Sequence, residues 1–467
     1  MSRVGFLFAV LMAGCGGADS DRLHHRPGPD RQVGDFRTGL EDQGYAVQDG
    51  LLFYSTYDQC CDPGGQCWGN NPATPYGTWA VPASPGEEPA EDVFEGWGKL
   101  PVEGLTRSFH LRPDEAIVQI GTTPPAAKYF SARSYVIHRF DEGLRRPLFG
   151  SLGPSMNHLT LATARGVDPA EVFSAPLVLL TTADLAVERV IREALVAAGF
   201  DESTIHNDRI THHLTQMGLH DEADTFNLTW RVAVDENAFE GGAYRADPLA
   251  SVLRITPPGP ETVVEPHGTP QLPSRGTDVT EGPWADALAE LDAAILAEYA
   301  DYGHIRNTAI PVFQPTLECF DLLNSCGADL TDRLVTVIDY FRMDSDDFVV
   351  VFGVNHEASG KASYSNVAVI SDEHEMGIVG VDSREMLGSA RHWLPDHPQA
   401  EDLFAYVLRR SCDGRPEPCA EIPEGCPGCD LEDRMRVTFR AYLEPATQAA
   451  PVATELLPDT AIKFYVR

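Results

Sequence analysis

Basic charge is scarce in this chain: 35 Lys plus Arg stand against 70 Asp plus Glu, a formal net charge of −35 over 467 residues. A nucleic-acid partner needs a basic face to displace condensed counterions, so that class of function is excluded. Long hydrophobic runs are missing too. The apolar stretch Val4 to Met12 is too short to span about 30 Å of hydrocarbon, and no later stretch approaches a transmembrane helix. Phosphate loops are absent, with no Gly-x-x-x-x-Gly-Lys-Ser/Thr and no Gly-x-Gly-x-x-Gly behind a strand, which disfavours nucleotide chemistry. His-Glu-x-x-His does not occur. Neither Ser155 nor Ser383 stands in Gly-x-Ser-x-Gly, the sequence that lets a hydrolase's nucleophile turn be tight.

What is present begins with an export signal. Arg3 supplies a positive start, Val4 to Met12 an apolar core, and Leu11-Met12-Ala13-Gly14-Cys15 reads as a lipoprotein processing site. Residues 1–14 are expected to be cleaved and Cys15 lipidated, which makes the membrane a partner through that lipid. Gly16 lacks the acidic character of an inner-membrane retention signal, so the expected location is the outer membrane.

Ten cysteines fit an oxidising compartment. Cys319 with Cys326 and Cys412 with Cys419 would each close a short loop, and Cys60 or Cys61 would join Cys67. Cys426 and Cys429 complete the disulfide candidates. The four cysteines from 412 to 429 have no familiar zinc spacing. Cys426-Pro427-Gly428-Cys429 resembles a redox dithiol but precedes a strand-like run, Arg434 to Tyr442, rather than the helix N-terminus that stabilises a thiolate.

Hydrophobic residues at 43% and charged residues at 22% are globular values, and the length implies two or three units. Residues 15–45 show no hydrophobic period and read as a flexible tether. A Pro-rich stretch, 256–283, separates modules at 46–255 and 284–467. The two modules share an order of pieces. Asp114 to Gly121, Lys128 to Ile137 and Phe149 to Gly153 in the first correspond to Asp346 to Gly353, Lys361 to Ile370 and Met376 to Gly380 in the second. Each set reads as a three-stranded meander, which implies internal duplication. Pro176 to Leu180 reads as a strand and Ala183 to Ala198 as a helix capped by Thr182; further helices are expected at 284–302 and 400–411, and a strand at Ala461 to Val466. The predicted fold class is α+β: two related β-rich modules in mixed sheets with a few packed helices.

Several pieces carry a resemblance: Asn71-Pro72-Ala73-Thr74-Pro75-Tyr76, Pro124 to Ser131, Asp224-Thr225-Phe226, Gly353-Val354-Asn355-His356, Gly360 to Tyr364 and Glu455-Leu456-Leu457. Together they resemble an uncharacterised family of exported proteins, over about residues 50 to 467. That resemblance implies no reaction and carries over no catalytic residue.

The best polar constellation follows the run Phe348 to Phe352, where Asn355, His356 and Glu357 precede Lys361, Tyr364 and Asn366. His356 is the candidate general base, Glu357 its orienting carboxylate and Lys361 a third catalytic candidate. The alternative is a hairpin whose Asn and His hydrogen-bond the turn. His206, His212, His213 and His220, with Asp221, Glu222 and Asp224, have the ligand types for zinc or iron but no ligand spacing, so no metal site is assigned and no cofactor is implied. Trp68, Tyr76, Trp79, Phe94 and Trp97 would either line a groove or fill a core. The leading expectation is a lipid-anchored envelope protein that binds a ligand or partner; the rival is an extracytoplasmic hydrolase or metal-dependent enzyme using His356 and Glu357.

Overall fold

The computed structural model describes residues 29–54, 71, 75–88, 90, 92–94, 99–262, 265–312, 317, 319–322, 326, 331–374, 376–425 and 428–467. The lipidation site Cys15, together with Cys60, Cys61, Cys67, Trp68, Trp97 and Cys426, lies outside them.

The first half contains strands β1 (Ala46–Tyr54), β2 (Tyr76–Pro82), β3 (Leu105–Thr106), β4 (Ala116–Thr122), β5 (Ala127–Asp141), β6 (Leu144–Ser151), β7 (Met156–Asn157), β8 (Pro176–Thr182), β9 (Ile205–Arg209), β10 (Thr225–Asp235) and β11 (Ala250–Thr256). Its helices are α1 (Pro29–Glu41), α2 (His158–Arg165), α3 (Leu185–Ala197) and α4 (Ala238–Ala246). The strands form one sheet in the order β6-β5-β10-β2-β1-β11-β4-β8-β9, with β3 on β2 and β7 on β5. In the second half α5 (Ala285–Glu298) precedes β12 (Gly303–Thr308) and β13 (Ile310–Pro311), and the short α6 (Cys319–Leu322) precedes β14 (Arg333–Val337), β15 (Phe348–Val354), β16 (Tyr364–Ser371) and β17 (Gly377–Asp382). After them come α7 (Ser383–Met386), β18 (Leu403–Arg409), β19 (Cys419–Glu421), β20 (Met435–Tyr442) and β21 (Thr460–Tyr465). Two sheets result, β12-β21-β15-β18-β19 and β13-β14-β20-β16-β17. All neighbours in these paths are antiparallel except β8 with β9 and β18 with β19, so two of the three sheets are mixed and β13-β14-β20-β16-β17 is antiparallel throughout, which with the packed helices fits the α+β reading.

Helices cover one face of each strand set. Leu291 and Ile295 of α5, one turn apart, bury against Phe348, Val350 and Phe352, while Val349 and Val351 point into the space between the two sheets. Both faces of β15 are therefore covered, which is why its sequence is an unbroken apolar run. The first half repeats the device: Ala116, Val118 and Ile120 of β4 meet Ile191 and Leu195 of α3, and Ile117 faces the opposite core. A further cluster, Tyr129, Ala233, Tyr364 and Tyr442, lies in the seam between the halves.

Four expectations are corrected. Residues 15–45 are not a tether throughout, because α1 forms and its Phe36 and Leu40 are fully buried beside Val187 and Ile191. The stretch 400–411 holds strand β18, not a helix: its apolar residues four apart satisfy a period of two as well, and β18 splits Leu403, Ala405 and Val407 from Phe404 and Leu408 onto opposite cores. The meander is absent in both halves. β4 does not pair with β5, nor β15 with β16; only the second and third strands of each set pair, β5 with β6 and β16 with β17. Finally, the cap of α3 is Asp184, whose carboxylate accepts from the backbone of Ala186 and Val187, while Thr182 Oγ1 instead donates to the Glu115 carbonyl.

The predicted bridges Cys319–Cys326 and Cys412–Cys419 are present. Cys429 is buried. The Pro-rich stretch runs packed against both halves: His267 and Glu281 are buried, and the Glu265 amide donates to Asp184.

Candidate functional site

The turn between β15 and β16 is closed by its own backbone. The amide of Ser359 donates to the Asn355 carbonyl at 3.0 Å, and those of Lys361 and Ala362 both donate to the His356 carbonyl. Gly360, at φ 77°, takes the left-handed conformation that such a reversal demands. The turn thus holds His356, Glu357 and Lys361 rigidly, but it sends them to three different places.

His356 enters a buried pair of carboxylates. Its Nδ1 lies 2.7 Å from Glu281 Oε1 and its Nε2 lies 3.6 Å from Asp459 Oδ2. Glu281 is itself tied down, accepting from Ser359 Oγ at 2.6 Å and from the Leu457 amide at 2.8 Å. Gly353 leaves room for Asp459, since a Cβ there would collide with its carboxylate. Burial alone pushes the imidazole toward neutrality, but the two carboxylates outweigh it and raise the His356 pKa to about 10. Burial pushes Glu281 up, and its contact with the imidazolium reverses this to leave its pKa below the ordinary value. An imidazolium that keeps its proton at neutral pH does not serve as a general base.

Lys361 is equally committed. Its ammonium donates to Thr277 Oγ1 at 2.8 Å, Glu444 Oε1 at 2.8 Å and Glu455 Oε2 at 2.5 Å, which uses all three of its protons. Glu455 also accepts from the amides of Thr277 and Asp278. Desolvation opposes the charge on Lys361, and the two carboxylates overcome it and raise the pKa. Glu357 turns away from both centres, toward Lys128 of β5, and accepts from Ser383 Oγ at 2.6 Å. The three catalytic candidates therefore share a turn but no site.

A cavity of about 60 Å³ adjoins the His356 pair. Its walls are mainly apolar, with Leu334, Phe439, Leu456 and Leu457 among them, and His356 and Asp459 stand on one side. Glu357, Lys361 and Lys128 do not line it. Thr336 and Arg440 also contribute to its lining.

The histidine cluster separates in space. His206 on β9 accepts from Arg165 Nε at 3.2 Å, and burial, with Arg165 and Arg192 nearby, lowers its pKa to about 4. His213 bonds Thr269 at 2.9 Å, and Asp224 is buried against Arg139. Among the described residues no three His, Cys, Asp or Glu side chains gather as a metal site. Ser155 accepts from the Asn157 amide group. Of the amino-terminal aromatics, Trp79 and Phe94 are core residues.

The residues that define these centres, Glu281, Glu444, Glu455 and Asp459, were not singled out as partners from the sequence. Glu281 hides in the Pro-rich stretch, and Glu455 opens the Glu-Leu-Leu piece. No local pattern couples either to a turn some 75 or 94 positions away.

No protein-family model and no curated protein matches this chain. Among solved structures, a putative uncharacterized protein from Burkholderia cenocepacia is 12% identical, with 93% of this chain and 86% of that chain covered and a TM-score of 0.38. A protein from Vibrio parahaemolyticus is 10% identical, with 93% and 96% covered and the same TM-score, 0.38.

Proposed function

We propose that this chain is a lipid-anchored extracytoplasmic binding protein, placed at the outer membrane and built from two copies of one β-rich module. The processing run ending at Cys15 supports the anchor, and the bridges Cys319–Cys326 and Cys412–Cys419 suit an oxidising compartment. No helix among the described residues is long and apolar enough to cross a membrane.

Duplication is supported strand by strand. The path β6-β5-β10-β2-β1-β11-β4-β8-β9 corresponds to β17-β16-β20-β14-β13 continued by β12-β21-β15-β18-β19. β1 pairs with β11 through Ala46–Gly50 and with β2 through Leu51–Tyr54; β12 and β13, separated by Ala309 alone, divide the same two roles. The last strand of each path is the parallel one.

The observation that carries binding over catalysis is the clamping of His356 between Glu281 and Asp459. A hydrolase or metal-dependent reaction at this turn would need His356 neutral and Glu357 within its reach. The test replaces Cys15 by Ser and follows the protein's fractionation and amino-terminal mass. Wild type is expected in the outer-membrane fraction with an acylated residue 15 at its start, and C15S in the soluble fraction. An intact, unmodified amino terminus on soluble wild-type protein refutes the reading.

A further inference from the structure

The turn after β15 carries two buried cations, and their surroundings differ. Lys361 has all three protons spent, on Thr277, Glu444 and Glu455. His356 does not. It is 6% exposed and, with a pKa of about 10, holds a proton on each ring nitrogen at neutral pH. Nδ1 is spent on Glu281 at 2.7 Å, but Nε2 faces Asp459 Oδ2 across 3.6 Å, beyond hydrogen-bond length. Asp459 is 5% exposed, and its Oδ1 has no hydrogen-bond partner. A buried donor and acceptor that stop short of each other are costly unless a third group joins them.

Room for such a group lies alongside, in the cavity of about 60 Å³ that His356 and Asp459 help to line. Leu334, Phe439, Leu456 and Leu457 supply apolar walls, and Thr336, also in the lining, keeps its Oγ1 without a partner. The lining residues Pro311 and Pro458 are exposed, so the cavity is reached from solvent. Arg440 contributes to the wall from β20, but its neighbour Phe439 takes the side facing the inter-sheet core, and the Arg440 side chain takes the other, with Tyr442 and Tyr364. Its guanidinium is therefore not a partner for a ligand here. At roughly 10–15 Å³ for each water-sized group, the space takes about four to six heavy atoms, the size of a ligand's end.

The spacing selects the head group. An ammonium would stand beside the imidazolium proton, and a carboxylate beside Asp459. A neutral hydroxyl suits both neighbours, because an oxygen about 2.8 Å from each closes a triangle on the 3.6 Å base, and both bonds are charge-assisted. We propose that this cavity binds the hydroxyl end of a small neutral aliphatic ligand, the hydroxyl accepting from His356 Nε2 and donating to Asp459 Oδ2 while its carbons lie against Leu334, Phe439, Leu456 and Leu457. The proposal deepens the binding reading of this chain and does not depend on the lipid anchor.

The test titrates the full chain, with leucine methyl groups labelled, with 1-propanol and follows the methyl resonances of Leu334, Leu456 and Leu457 by NMR. Saturable shifts at these methyls, with a Kd on the order of 1–10 mM, support the proposal. Propylammonium and propionate, which match the probe in size and differ in head-group charge, should bind at least tenfold more weakly. Ala453→Leu, which fills the cavity without touching the clamp, should abolish the saturable shifts, and Asp459→Asn should weaken the apparent affinity roughly tenfold. Should D459N fail to fold, A453L and the three head groups still decide the matter. Wild-type shifts that are absent or stay linear with concentration, as for a cavity that holds water only, overturn the proposal. So do equal or tighter binding of propylammonium or propionate and saturable shifts unchanged in A453L. Any of these results leaves the C15S fractionation unaffected, so failure here and failure of the anchor are told apart.

Discussion

At the scale of single residues, the polar side chains that looked like chemistry hold the fold together. His356 and Lys361 tie the turn after β15 to the end of the Pro-rich stretch and to the segment before β21, through Glu281, Thr277, Glu444, Glu455 and Asp459. Each group has a sign that pH reveals. The folded pKa of His356, about 10, lies above its ordinary value of 6.5, so its stabilisation is complete below about pH 6.5 and is lost as pH rises through 10. Wild type compared with His356→Gln in denaturant titrations should therefore show a stability gap, on the order of 3 kcal/mol, that closes between pH 6.5 and 10. A gap that does not vary with pH over that range rules out the clamp. Glu281 acts in the opposite sense: with its pKa held low, its contribution is full above the ordinary carboxylate range and fades as pH falls. Lys361→Met leaves Glu444 and Glu455 buried without their cation and should cost about 3–5 kcal/mol, measured by the same titration at pH 7.

At the scale of elements, period and burial decide what forms. α5 was legible because Leu288, Leu291 and Ile295 keep one face, whereas β18 was not, since residues four apart fit a helix and a strand alike. α1 escaped notice because its apolar residues are sparse, and only contact with α3 gives Phe36 and Leu40 a reason to be ordered. Asp184 joins two elements: one carboxylate oxygen caps α3 and the other holds the Glu265 amide of the Pro-rich stretch. Asp184→Ala should cost about 1–2 kcal/mol in chemical unfolding. Asp184→Asn, which keeps the capping oxygen, should recover most of that loss.

At the scale of the whole molecule, the two halves meet through buried polar and aromatic contacts rather than across an open linker. Tyr129 donates to Asp332, Arg231 pairs with the same carboxylate at 3.1 Å, and Phe320 of α6 packs where β6 has only Gly150. Asp332 is 1% exposed, so separating the halves would strand Arg231 and Asp332 together with the tyrosine cluster. Calorimetry of the protein is expected to show one cooperative transition. Two resolved transitions, or a stable fragment spanning 284–467 after limited proteolysis, would contradict this coupling. The amino-acid sequence by itself determined what depends on neighbours along the chain: the apolar runs of β4 and β15, the bridges Cys319–Cys326 and Cys412–Cys419, and the acidic net charge. Tertiary structure alone decided which strands pair and that His356, Glu357 and Lys361 part company after one turn. The physical reason is that a charge's role is set by its counter-charges and its burial. Both are supplied here by residues tens to hundreds of positions away, which no local period or motif encodes.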